Sequence, residues 1–228
     1  MGSHLHAYAD QMEADLNSPV SLGTTIMACS YDGGVLMAAD SRTSTGTYVA
    51  NRVADKITSL ADNIYICRSG SAADTQAISS YAMYFIEQHE QEKGGPIEVE
   101  TAANFVAQMG YNNKNNLQAG MIIGGWDKYG GGQVFGIPLG GSLIKTPYSI
   151  GGSGSAYISG FCDKNFKPNM TYEECREFVR RAVSHAMARD GSSGGVIRIV
   201  RIDGTGARKE FIEGNKVPVH FGEIPLAP

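Results

Sequence analysis

The chain has 228 residues, 42% of them hydrophobic and 18% charged, and carries a net charge of −4. That balance suits one globular domain with a sizeable core and lacks the basic surface that nucleic acid or an anionic membrane requires. No apolar run approaches the roughly 20 residues of a membrane span.

Residues Met1 to Gly23 contain Asp10, Glu13 and Asp15, so they match neither a secretory signal nor an Arg-rich transit peptide. They read as a short removable pro-segment. The 29 glycines fall between short β-type runs, which predicts many tight turns. Thr25 to Ser30 and Val35 to Ala39 flank Asp32-Gly33-Gly34, a hairpin signature. Ile57 to Leu60 and Ile64 to Arg68 form a second hairpin around Ala61-Asp62-Asn63. From Ala72 to about Gln91 the apolar residues recur at helical spacing, until Gly94-Gly95-Pro96 stops them. A second helix is predicted from Val99 to about Asn116, with Ala103, Val106, Met109 and Leu117 on one face.

Strands return at Ala119 to Trp126 and Gln133 to Pro138, with short ones around Leu143 and Ile150. Ser155 to Phe166 and Thr171 to Arg189 read as helices, the latter opening on a Thr171–Glu174 capping box. A last hairpin, Val196 to Ile202 and Ala207 to Ile212, turns at Asp203-Gly204-Thr205-Gly206. The order strands, helices, strands, helices, strands predicts an α+β fold: two antiparallel sheets packed face to face, flanked by helices. The domain spans residues 24–215. The tail 216–228, with Pro218, Pro225 and Pro228, should be extended, either exposed or docked on another subunit.

The chemistry centres on Gly23-Thr24. Cutting that bond would give Thr24 a free α-amine beside its hydroxyl, and the amine can serve as the base that activates it. By itself the dipeptide is equally an ordinary start to a strand. Asp40, at the end of the second predicted strand, should lie at the same sheet end as Thr24, and Lys56 stands just before the third. A lysine beside the hydroxyl eases alkoxide formation, and a carboxylate can hold that lysine. At Cys67-Arg68-Ser69-Gly70-Ser71 a strand runs into a helix start, where backbone N–H groups can receive an oxyanion. By composition alone Asp190 to Gly195 is a plain helix-to-strand loop. Gly151 to Ser155 lacks the Lys-Ser/Thr of a phosphate loop. Cys29, Cys67, Cys162 and Cys175 have no metal-ligand spacing and read as thiols, and the five histidines show no metal or triad pairing. No metal or cofactor is expected.

Gly23-Thr24-Thr25-Ile26, Ala39-Asp40-Ser41-Arg42, Asp55-Lys56, Ser69-Gly70-Ser71-Ala72-Ala73-Asp74, Gly152-Ser153-Gly154-Ser155 and Asp190-Gly191-Ser192-Ser193-Gly194-Gly195 occur in one order. Together they resemble the catalytic 20S proteasome beta subunits, within the N-terminal nucleophile hydrolases, from Thr24 to about Ile212. The resemblance implies a four-layer αββα sandwich. It makes Thr24 the nucleophile freed after Gly23, Asp40 and Lys56 its charge pair, and Gly70 the oxyanion donor. Ser153, Asp190 and Ser193 would support the amine and a water, with Arg42 structuring the network near Asp190. Substrate would meet Arg68, Thr43 and Ala72. Arg68, two before the oxyanion glycine, would form the base of the pocket for the residue ahead of the cut bond. That favours acidic side chains and the beta-1, caspase-like type. The implied setting is a barrel of other beta and alpha subunits acting on unfolded polypeptide in ubiquitin-dependent turnover, in cytoplasm and nucleus. Two other classes share these features: a non-catalytic ring subunit, and a small-molecule amidohydrolase of the same fold.

Overall fold

A computed structural model describes residues 23–220; the predicted pro-segment up to residue 22 and the end of the tail, 221–228, lie outside the described residues. The turn at Asp32-Gly33 joins β1 (Ile26–Tyr31) to β2 (Gly34–Ala39), which pair antiparallel with Ile26 opposite Ala39. They lie inside a five-stranded antiparallel sheet ordered β10 (Tyr148–Gly151), β1, β2, β11 (Ile197–Asp203) and β12 (Gly206–Ile212). The facing sheet runs in chain order: β5 (Ile57–Ala61), β6 (Ile64–Gly70), β7 (Ala119–Asp127), β8 (Gly131–Ile137) and β9 (Ile144–Lys145).

Successive residues of a strand point to opposite faces, and here both faces are buried. Met27, Cys29, Leu36 and Ala38 pack against Ile158 of α3 (Ser155–Asn165) and Cys175, Val179, Ala182 and Val183 of α4 (Tyr172–Arg189). Their neighbours Ile26, Ala28, Val35, Met37 and Ala39 meet Ile57, Cys67, Ile122 and Val134 of the other sheet. Ile64, Ile66, Ile123, Phe135 and Ile137 then cover α1 (Ala72–Lys93) and α2 (Val99–Asn112), through Ile78, Ala82, Ile86, Val99 and Val106. Three apolar interfaces therefore separate four layers, the αββα sandwich expected. Double-sided burial explains why the central strands read as continuous apolar runs rather than alternating ones.

Local capping matches the sequence closely. Ser71 caps α1, Gly94 ends it, and Thr171 and Glu174 form a reciprocal capping box at α4. Three findings differ from expectation. Helix α2 stops at Asn112, because Asn113 to Asn116 turn back on themselves and Leu117 follows the turn instead of the helix face. A short hairpin, β3 (Thr43–Thr45) with β4 (Tyr48–Asn51), fills a stretch with no apolar pattern to reveal it. The tail also begins on the domain itself. Val217 and Val219 are buried, and the Val219 N–H donates to Ser184 Oγ of α4 at 2.7 Å.

Candidate active site

Ala39 ends β2, and the next side chain, Asp40, is fully buried. An unpaired carboxylate there would be costly, and both oxygens are doubly occupied. Oδ1 accepts from the Thr25 N–H at 2.8 Å and Lys56 Nζ at 2.7 Å; Oδ2 accepts from the Arg42 N–H at 3.1 Å and the Gly194 N–H at 3.0 Å. Four separate chain segments thus converge on one side chain. Burial pushes the Lys56 ammonium below its ordinary pKa, and the adjacent Asp40 charge only partly offsets this. Lys56 is therefore poised to give up a proton more readily than a surface lysine.

The segment leading to Lys56 is held by its backbone. The Arg52 carbonyl accepts from Ser41 Oγ, the Val53 and Ala54 carbonyls from Arg198, the Asp55 carbonyl from Arg68 Nη2 at 3.1 Å, and the Lys56 carbonyl from the Arg68 N–H at 3.0 Å. Five consecutive carbonyls are occupied. Ser41 also accepts from the Val196 N–H at 2.8 Å, so it ties this segment to the loop after α4.

Thr24 sits just ahead of β1. Its Oγ1 donates to the Gly23 carbonyl oxygen at 2.6 Å, so the hydroxyl lies against the bond expected to be cut. Its N–H donates to Ser153 Oγ at 3.1 Å. Ser153 Oγ and Ser193 Oγ both donate to Asp190 Oδ2, at 2.7 and 2.6 Å, and Ser193 Oγ lies 2.7 Å from Thr25 Oγ1. One hydrogen-bonded chain thus links the Thr24 nitrogen to Asp190. Arg42 Nη1 donates to the Gly191 carbonyl at 2.8 Å, which steadies the loop carrying Ser193. Glycine is demanded ahead of Thr24: a Cβ at residue 23 would fall 1.7 Å from Ser192 Cβ.

A cleft of about 290 Å³ opens beside the threonine, lined by Thr24, Thr43, Lys56, Arg68, Gly70 and Ala72 among others. Gly70 ends β6 next to the Ser71 cap of α1, with φ +95°, and a Cβ there would lie 2.1 Å from the Gln118 carbonyl oxygen. The conformation and the close approach both require glycine. The Arg68 side chain has no ion pair among the described residues, and its Nε lacks a hydrogen-bond partner. Burial lowers its pKa, with the nearby Asp55 charge opposing. The cleft therefore presents an unneutralised guanidinium beside the Thr24 hydroxyl.

Every residue singled out from the sequence gathers here: Thr24, Asp40, Lys56, Ser153, Asp190 and Ser193 in the bonded network, Gly70, Arg68, Thr43 and Ala72 on the cleft, Arg42 behind it. Sequence reading missed Ser41, Thr25 and Arg198. The first two are flagged only by adjacency to Asp40 and Thr24. Arg198 reaches the site because β11 pairs with β2 so that Arg198 faces Ala39, a register no local pattern encodes.

The model of the family described as "Proteasome subunit" matches residues 20–202. Proteasome subunit beta type-6 of Arabidopsis thaliana is 54% identical over 213 residues, covering 93% of this chain and 91% of that protein. Proteasome subunit beta type-6 of Dictyostelium discoideum is 57% identical over 203 residues, covering 89% and 95%. Proteasome subunit beta type-1 of Saccharomyces cerevisiae is 50% identical over 202 residues, covering 87% and 94%. These similar proteins carry more than one type number, so the likeness reaches the beta subunits as a group.

Proposed function

The chain belongs to the proteasome beta subunit family, and from that premise we propose that it is a catalytic subunit of the 20S core, of the beta-1, caspase-like type. It is a threonine peptidase cutting after acidic residues, within a barrel of other beta and alpha subunits that degrades unfolded polypeptide. Ubiquitin-dependent turnover in cytoplasm and nucleus is the setting this implies. Among the described residues no helix is long and apolar enough to cross a membrane.

The observation that carries this reading is one cleft lined by Thr24, Lys56, Gly70 and an uncompensated Arg68. The hydroxyl first serves its own maturation. Thr24 Oγ1 attacks the Gly23 carbonyl carbon, the acyl group shifts from nitrogen to oxygen, and water hydrolyses the ester. That releases Gly23 as a carboxylate and Thr24 as an amine. In turnover the amine takes the Oγ1 proton as oxygen attacks the substrate carbonyl, and Gly70 faces the oxyanion. The C–N bond breaks, the leaving nitrogen takes the proton from the Thr24 ammonium, and water, deprotonated by the amine, cleaves the acyl ester. Lys56, held by Asp40, eases loss of the hydroxyl proton. Arg68 receives the Glu or Asp carboxylate of the residue ahead of the bond.

Thr24→Ala should abolish both release of the segment ahead of Thr24 and hydrolysis of a Glu-ending fluorogenic peptide, read in the assembled particle by intact mass and fluorescence. Normal turnover by that variant sinks the mechanism. A wild-type particle whose chain still extends past Gly23 assigns it instead to a non-catalytic ring position.

A further inference from the structure

A second cleft, of about 580 Å³, meets the first at Gly70. From Gly70 the first continues to Lys56 and Arg68; the second continues to Ser153, between the two sheets, past Ile122, Ile137, Leu139, Ile144 and Ile150. No charged residue lines it. Leu139 and Ile144 on its walls are 62% and 51% exposed, much apolar surface for water to cover.

We propose that this cleft binds the leaving half of the substrate, taking an aliphatic or aromatic side chain just after the cut bond. The inference rests on the peptidase reading above. It follows from where a proton must go. The leaving nitrogen is protonated by the Thr24 nitrogen, which Ser153 Oγ holds at 3.1 Å. The leaving half must therefore lie on the Ser153 side of the threonine, and the apolar cleft opens there. The acyl half occupies the other arm, with its carboxylate at Arg68. The two arms share the Gly70 corner, where the reacting carbonyl oxygen sits. Selection is then twofold: an acid before the bond, an apolar residue after it. A carboxylate after the bond would be desolvated in the second arm with no charged partner.

The test uses the assembled particle and three peptides with one acyl half ending in Glu, followed by Leu-Leu, Gly-Gly or Asp-Asp. Cleavage is followed by mass. The expected order of kcat/KM is Leu-Leu above Gly-Gly by roughly tenfold, the effect of partly burying one Leu side chain, with Asp-Asp lowest. Leu139→Asp, and separately Ile144→Asp, should collapse the Leu-to-Gly ratio toward one; both positions are exposed, so folding should tolerate them. Equal cleavage of all three peptides by the wild type overturns the inference and leaves the peptidase reading standing. An undiminished Leu preference in both variants overturns it too. If no peptide is cut, the peptidase reading itself has failed. Failed assembly of both variants beside a wild type without preference makes the cleft a subunit contact, again overturning the inference.

Discussion

Two buried aspartates, Asp40 and Asp203, sit at opposite ends of the same strand pair, and contrasting them separates function from architecture. Asp40 follows the β2 residue opposite Arg198, and Asp203 pairs with Gly34 at the far end. Each accepts several hydrogen bonds and holds one cation: Lys56 at 2.7 Å for Asp40, Arg201 at 2.6 Å for Asp203. The partners differ in origin. Asp203 draws on the Thr205 N–H and hydroxyl in its own turn, with Tyr31 as its distant donor. Asp40 has one donor in its own turn, the Arg42 N–H, and draws the other three from Thr25, Lys56 and Gly194, far apart in sequence. The cations differ more. Hydrogen bonding to Tyr31 and Asp203 raises the Arg201 pKa against burial, and its guanidinium lies 4.4 Å from the Tyr172 ring. Burial lowers that of Lys56, which faces a cleft. A carboxylate whose cation is made more secure fits a staple. One whose cation is made less secure, beside a cleft, fits the reaction centre proposed above.

The largest effect should come from Lys56→Arg. The charge beside Asp40 stays, but guanidinium is larger and spreads its charge and donors over a plane, so it cannot take the compact position of the ammonium beside the hydroxyl. We expect kcat to fall about a thousandfold with only a small change in melting temperature. Near-wild-type kcat would erase the contrast. Arg68→Ala comes next. If Arg68 receives the acidic side chain, its loss should lower kcat/KM for Glu-ending peptides roughly a hundredfold and spare Leu-ending ones relatively. An unchanged Glu-to-Leu preference removes Arg68 from recognition.

At the other aspartate the expected signs are reversed. Arg201→Met should cost about 2 kcal/mol of stability in denaturant unfolding, with kcat unchanged in the assembled particle; a kcat defect would make Asp203 more than a staple. The smallest effect is acid sensitivity. Burial pushes the Asp203 pKa up, but the Thr205 hydroxyl and amide and Arg201 together bring it from 3.8 down to about 2. Because the folded value is depressed, its stabilisation is complete above pH 3.8 and disappears as pH falls toward 2. That contribution is about 1–2 kcal/mol. Unfolding midpoints measured across this window should flatten in Asp203→Asn, and an identical slope in both proteins would refute the assignment.

Much of this was legible in the chain itself. Gly-rich turns and apolar runs located the central strands, and Ser71, Gly94 and Thr171 marked helix ends, because these signals act locally. The proposed nucleophile, its charge pair and the Asp190 loop stood out only jointly, as an ordered set of motifs. The β3–β4 hairpin was not, since Thr43 to Asn51 is polar and pairs without an apolar face. Nor were the partners of Arg198 and Arg201 assignable: three residues apart on one strand, they point to opposite faces, one to the segment before Lys56 and the other to Tyr31. Only the register against β2 decides that.

The unbroken run of captured carbonyls from Arg52 to Lys56 has a consequence for redesign. Arg68 supplies both of the last two bonds, one from its guanidinium and one from its backbone. The side chain proposed to select the substrate therefore also braces the segment that carries Lys56. Substitution at position 68 keeps the backbone bond to the Lys56 carbonyl but frees the Asp55 carbonyl next to it. A variant aimed at apolar or basic substrates must also find a new donor for the Asp55 carbonyl, or it will trade speed for its new taste.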